Sequence, residues 1–373
     1  MPVLRSGTII KRSMIYMDDN RFMTIPPGAI IPGSLPKFKI YMRSPKGQYM
    51  LWARNGNEVT QKQLAKLTES GIKDVFVHLE EEVKYEEYLE NHLGTILENK
   101  ASSNEQKASI FSKVSTHVVK DAFENSLGLG TMSQDVLQRT HAMVTNALMF
   151  ITQAGSLQAL AKMIGHDYQT YEHATKVLWF TVAFLKDNPF ILERIEPEYP
   201  KFDPQQRMEM LRQCGVGALL HDIGKAFVSA DILNKNEVLT QVEWEIMKRH
   251  PLHGLAMLLD TEIPEFVKKA VLHHHEDFAG GGYPMGLEGA NISLLARVIR
   301  IVDVFDAMTS RRPYKDPIPP GKAVQIMVGT PPNKEPGENG NGKVDRDDGM
   351  RRCFDEELLR KFIVFLGNVR LTF

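Results

Sequence analysis

At 373 residues, 43% of them apolar and 24% charged, the chain is long enough for two domains with separate cores. A formal net charge of −1 argues against a nucleic acid polymer as partner, because phosphate backbones recruit strongly basic surfaces. Two cysteines, Cys214 and Cys353, make no disulfide framework, no run reaches the roughly 20 apolar residues of a membrane span, and the N-terminus lacks the apolar core of a signal peptide, so a soluble cytoplasmic protein with no membrane partner is expected.

Residues 1–35 are rich in glycine and proline and read as a loose lead-in. Two strand-like runs follow, 38–42 (FKIYM) and 48–53 (QYMLWA), joined by a Ser-Pro-Lys-Gly turn. A helix is predicted from about Thr60 and stops at Gly71, where glycine suits a C-terminal cap. Residues 74–79 (DVFVHL) then read as a third strand. This small α/β module, 1–80, contains no catalytic pattern and reads as a regulatory or interaction module. Residues 81–150 are charged and helical, broken near Gly128-Leu129-Gly130, and read as a helical linker and candidate homodimer surface. From 151 to 373 the pattern is helical, with polar inserts at 187–206 and 330–350, the second a solvated loop by composition. The fold class is therefore an α+β two-domain chain, a small α/β module ahead of an all-α domain.

The second half carries His173, His221-Asp222, His250, His274-His275 and Asp303. Positions 214, 218, 221, 222 and 225 share one face of a helix, with small residues at one end that leave room for neighbouring helices. A second helix, beginning near Pro264, carries His274 and His275 beside Val267 and Val271, while His273 points away. A third places Asp303 in line with Ala296 and Ile299. His250 sits just before Pro251, where a helix is expected to end, and His173 is in register with Val177 and Phe180. One histidine on an apolar face is ordinarily a satisfied core residue, and one carboxylate could pair with Arg297 or Arg300. Five segments that all aim ligand-type residues inward point instead to metal, since an unpartnered buried charge is costly. Seven ligands suit two ions, with Asp222 as the bridge. Mixed imidazole and carboxylate ligation fits iron, manganese, zinc or nickel better than magnesium or calcium. For two such ions about 3.5–4 Å apart, phosphodiester hydrolysis is a natural chemistry.

The runs His221-Asp222-Ile223-Gly224-Lys225, His274-His275-Glu276, Gly282-Tyr283-Pro284 and Asp303-Val304-Phe305-Asp306-Ala307-Met308 through Arg312-Pro313-Tyr314-Lys315 resemble the HD-GYP phosphodiesterases of the HD superfamily. The likeness covers most of 151–373 apart from the two inserts, and 1–80 is more weakly similar to a module found ahead of some HD-GYP domains. The resemblance implies an all-helical domain around a centre that usually contains iron, and hydrolysis of cyclic di-GMP, a bacterial second messenger, to linear pGpG or on to GMP. It implies that His173, His221, Asp222, His250, His274, His275 and Asp303 are metal ligands. It further implies that Lys225, Arg312 and Lys315 hold phosphates, that Tyr283 lines the substrate pocket, and that Asp222 and Lys225 serve catalysis. Gln169 stands where trinuclear members carry a glutamate, so two metals and a linear product are expected. Ala279, Gly281 and Ser229 also depart from the usual residues, and Gly280-Gly281-Gly282 predicts a compliant Tyr283 loop. Two other readings remain: another cyclic dinucleotide such as cyclic GMP-AMP as substrate, or a non-catalytic protein that senses ligand or redox state.

Overall fold

A computed structural model of the chain describes residues 21–100, 102–151, 170–235, 237–310, 316–329 and 350–369. The expected loop at 330–350 lies outside them except for Met350. The chain divides into two compact units, Met1–Val114 and Ser115–Phe373.

The first unit is built on a four-stranded antiparallel sheet of β1 (Phe22–Ile25), β2 (Ile40–Arg43), β3 (Tyr49–Ala53) and β4 (Val75–His78), in the order β1-β4-β2-β3. The lead-in reading of 1–35 missed β1. Only four residues long, it pairs Ile25 with Val75 and stacks Phe22 on Tyr49 with centroids 3.9 Å apart. A strand this short leaves little alternation to detect. Helix α1 (Gln61–Glu69) ends before Gly71, whose φ of 68° is the left-handed conformation expected of a cap. Helix α2 (Glu82–Glu98) sets Tyr85 and Tyr88 edge-on to the buried Phe38 ring, and the Tyr88 hydroxyl accepts from the Ile31 backbone N–H.

Helix α3 (Asn104–Leu129) carries the chain into the second unit, which is helical: α4 (Gln134–Ile151), α5 (Thr170–Asp187), α6 (Pro189–Ile195), α7 (Pro204–Leu220), α8 (Ala230–Leu233), α9 (Gln241–Met247), α10 (His250–Leu258), α11 (Glu265–His273), α12 (Leu294–Thr309), α13 (Pro320–Val328) and α14 (Glu356–Asn368). Helix α7 is central, packed against α4, α5 and α11. Its small residues permit that: a Cβ on Gly215 would come within 2.7 Å of Val144 and 2.9 Å of Leu178. Phe180, Phe184, Phe305 and Phe362 meet edge to face and join α5, α12 and α14. Asp355 caps α14 and accepts from Arg297 at 2.9 Å, so Arg297 has no part in the ligand cluster.

Two local expectations are corrected. The helix through Cys214 does not run on to Lys225. It ends at Leu220, and Ile223–Phe227 form a tight 3-10 turn packed on α10. Gly224 makes that contact possible, since a Cβ there would lie 2.0 Å from the His250 carbonyl oxygen and 2.4 Å from the Gly254 nitrogen. Likewise His250 opens a helix instead of closing one. Helix α9 stops at Met247, and Pro251 falls in the first turn of α10, where its missing N–H costs nothing.

A Gly224→Ala substitution is therefore expected to lower stability by about 1–3 kcal/mol, the cost of overpacking a site that cannot yield. Gly367→Ala in α14, where the added methyl meets nothing within 4 Å, should be neutral or stabilising by about 0.5 kcal/mol. Urea unfolding of both variants checks the contrast.

Candidate metal centre

Three of the histidines follow directly from the ends of helices. The last carbonyls of a helix have no intrahelical donor. His221 caps α7 and directs Nδ1 at the Ala218 carbonyl, 2.7 Å away. His274 caps α11 and does the same with Val271 at 2.7 Å, and His250, just past α9, with Met247 at 2.8 Å. A carbonyl only accepts, so each Nδ1 carries the hydrogen and each Nε2 of the neutral ring presents a lone pair. Burial keeps the His250 and His274 rings neutral, pushing His250 down and His274 down to about 4.

The three lone pairs converge. His250 Nε2 and His274 Nε2 lie 3.1 Å apart, and neither has a hydrogen to give the other. His221 Nε2 and Asp222 Oδ1 are buried without a hydrogen-bond partner. Asp222 divides its oxygens: Oδ1 is 3.2 Å from His250 Nε2 and 3.6 Å from His274 Nε2, while Oδ2 is 3.3 Å from His221 Nε2 and 3.9 Å from His173 Nε2. Two groups share this carboxylate, His173-His221-Asp222 and Asp222-His250-His274-His275, each with its ligand atoms within 4.8 Å of one another. Facing lone pairs around a buried carboxylate are a repulsive arrangement that cations relieve, so the residues fit metal ions.

Asp303 joins the first group, with Oδ1 3.1 Å from His173 Nε2. His275 is set differently. Arg300 reaches its Nδ1 at 3.1 Å and Tyr283 stacks on its face with centroids 4.8 Å apart. His273 stays out of the cluster, its Nδ1 accepting from the Ser293 backbone N–H. Lys225 comes to the centre by the 3-10 turn, and its ammonium donates to Asp222 Oδ2 at 2.6 Å. Burial, the largest single influence, raises the Asp222 carboxyl, but Lys225 and the neighbouring His221 and His250 together outweigh it and hold the group well below the usual carboxylate range. Arg312, Lys315 and Gln169 lie outside the described residues.

The cluster forms the floor of a cleft of about 500 Å3, with Lys225, Trp244, Tyr283 and Arg300 on its walls. The Tyr283 loop, expected to be compliant, is tied down at several points. The buried Glu276 carboxylate accepts the backbone N–H groups of Met285 at 2.7 Å and Leu287 at 2.9 Å, and the Tyr283 N–H donates to the His275 carbonyl. Gly282 sits so close to this backbone that a Cβ would lie 2.3 Å from the Asp277 nitrogen. Burial also raises the Tyr283 phenol, which therefore keeps its proton as a donor. Sequence reasoning assigned no role to Glu276, Trp244 or Asp306, and offered Arg300 only as a pairing partner for a carboxylate. For Glu276 the available signal was a carboxylate just before a glycine-rich loop, whose backbone N–H groups need acceptors.

Residues 205–331 match the HD domain family. A cyclic di-GMP phosphodiesterase of Pseudomonas aeruginosa is 38% identical over 174 residues, 46% of this chain and 38% of that protein. A cyclic di-GMP phosphodiesterase of Thermotoga maritima is 43% identical over 104 residues, 27% of this chain and 28% of the relative. A 3′3′-cGAMP-specific phosphodiesterase of Vibrio cholerae is 40% identical over 110 residues, 30% of this chain and 24% of the relative. The chain thus spans well under half the length of these curated relatives. The solved structure of an HD-GYP-type protein from Bdellovibrio bacteriovorus superposes with a TM-score of 0.57 at 15% identity, covering 93% of this chain and 99% of that one, a likeness of fold. No helix among the described residues is long and apolar enough to cross a membrane. The HD domain at 205–331, with the HD, HHE and GYP motifs in order inside it, and the shared fold make this part of the chain similar to HD-GYP proteins.

Proposed function

We propose that the chain is a metal-dependent phosphodiesterase that hydrolyses cyclic di-GMP to linear pGpG in the cytoplasm, with two ions, iron in the first instance, sharing Asp222. The observation that carries this reading is the converging set of Nε2 lone pairs on both sides of Asp222, at the floor of an open cleft. His173, His221, Asp222 and Asp303 would hold one ion, and Asp222, His250, His274 and His275 the other. Such ions, when bound, polarise a phosphoryl oxygen and activate water near neutral pH. The protein's part is placement. Helix ends aim the rings, Lys225 adds positive charge at Asp222 beside the reacting phosphate, and Tyr283 offers a fixed aromatic face and a hydroxyl donor for a guanine or the ribose-phosphate backbone. Arg312 and Lys315 are assigned to the phosphates from the motif. Gln169, an amide in place of a carboxylate, supports two ions over three and a reaction that stops at the linear product. Residues 1–80 are assigned a regulatory or protein-interaction role, with 81–150 as a helical linker and candidate homodimer surface.

Anaerobic assay of cyclic di-GMP hydrolysis, with metal content measured on the same preparation, is expected to give pGpG and about two ions per chain. Faster turnover of cyclic GMP-AMP would move the substrate assignment to that nucleotide, and full metal loading without turnover of either would favour a sensor. Asp222→Asn should lose both ions and reduce turnover by more than the roughly 100-fold that removal of an outer partner costs. Retained metal with normal turnover would contradict the bridging role. Tyr283→Ala should leave metal content unchanged and raise KM about tenfold, the loss of one stacking contact. An unchanged KM would remove Tyr283 from the substrate pocket.

A further inference from the structure

His173 poses a problem that the other histidines do not. His221, His250 and His274 find their Nδ1 acceptors at helix ends, whereas His173 lies inside α5, where the backbone carbonyls are taken up by the helix. Its acceptor comes from another helix. Asp306 on α12 places Oδ2 2.8 Å from His173 Nδ1. The second carboxylate oxygen, Oδ1, accepts from the Ser310 hydroxyl at 3.0 Å, and the Ser310 oxygen accepts from the Lys176 ammonium at 3.0 Å. Lys176 returns to α5, one turn beyond His173. The chain of four is closed to solvent, with relative exposures of 1% for His173, 0% for Asp306, 2% for Ser310 and 5% for Lys176.

We propose that Asp306 is the positioning residue of the first metal site, and that Ser310 and Lys176 serve to hold its carboxylate. A packing tie between α5 and α12 would need none of this chemistry, since Phe180 and Phe305 already join the two helices. A carboxylate on Nδ1 fixes the ring orientation, keeps the hydrogen on Nδ1 and makes Nε2 a stronger donor to metal. That Nε2 faces Asp303 and Asp222. The consequence is an asymmetry within one centre: among the described residues, the rings of the second group lean on neutral carbonyls or on Arg300, and only His173 leans on a carboxylate. Loss of Asp306 should therefore weaken one site and spare the other. The assignment rests on the reading of the cluster as a two-metal centre.

The test is titration of the metal-stripped full chain with Mn2+, followed by calorimetry and equilibrium dialysis, for wild type, Asp306→Asn and Ser310→Ala. An amide can turn its NH2 toward the ring and so favour the tautomer with hydrogen on Nε2, which removes the lone pair. Wild type is expected to bind two equivalents. Asp306→Asn should bind one of them about 10–100-fold more weakly and the other as in wild type, with an unchanged far-UV circular dichroism spectrum. Ser310→Ala, a smaller change that should fold even where Asp306→Asn does not, is expected to weaken the same equivalent to a lesser degree. Two equivalents of wild-type affinity in both variants would overturn the proposal, as would equal weakening of both equivalents, which is what a purely structural role predicts. A wild-type chain that takes up no Mn2+ would instead overturn the metal reading itself, and this assignment with it.

Discussion

The centre depends on one interaction used three times, an imidazole Nδ1–H given to a carbonyl that a helix has left without a donor. Helix termination ordinarily creates a cost in unsatisfied carbonyls. At Ala218, Met247 and Val271 a histidine three residues later meets that need. The same bond fixes the tautomer and the ring orientation, so the Nε2 lone pair is aimed by backbone geometry without recourse to flexible side chains. Three helix ends that converge on one point therefore give three aligned lone pairs, and the fold's main task is to make them converge.

Close backbone approach makes that convergence possible. Gly215 lets α7 settle against α4 and α5, and Gly224 lets the turn after Asp222 lie on the start of α10, which brings His221-Asp222 to His250. Gly282 does the same for the Tyr283 loop, pressed onto the backbone that follows His274 and His275. Buried polar groups are costly when unsatisfied, and here their partners are supplied in layers: carbonyls and Asp306 behind the rings, Glu276 behind the loop. What remains unsatisfied, His221 Nε2 and Asp222 Oδ1, faces the position a metal would take.

Much of this was legible in the sequence, and the exceptions share a cause. Seven ligand-type residues could be singled out because imidazole and carboxylate are conspicuous in apolar helices, and all seven fall in one cluster. Helical periodicity could not show where a helix stops. It extended α7 through Lys225, although the chain turns at Leu220, and it read Pro251 as an ending when that proline opens α10. Strand β1 was missed because four residues among glycines and prolines carry too little pattern. Asp306 and Glu276 received no role because their partners are distant in sequence or are backbone groups, and neither relation shows in residue spacing.

The central claim, two ions astride Asp222 held through Nε2 nitrogens, is tested most directly by anomalous-difference diffraction from crystals of the metal-loaded protein. Data collected above and below the metal edge should show two peaks about 3.5–4 Å apart, one on each side of the Asp222 carboxylate, with Nε2 of His173 and His221 nearest one and Nε2 of His250 and His274 nearest the other. A single peak remote from Asp222, or ligation through Nδ1 with the helix-end carbonyls left unpaired, would contradict the account.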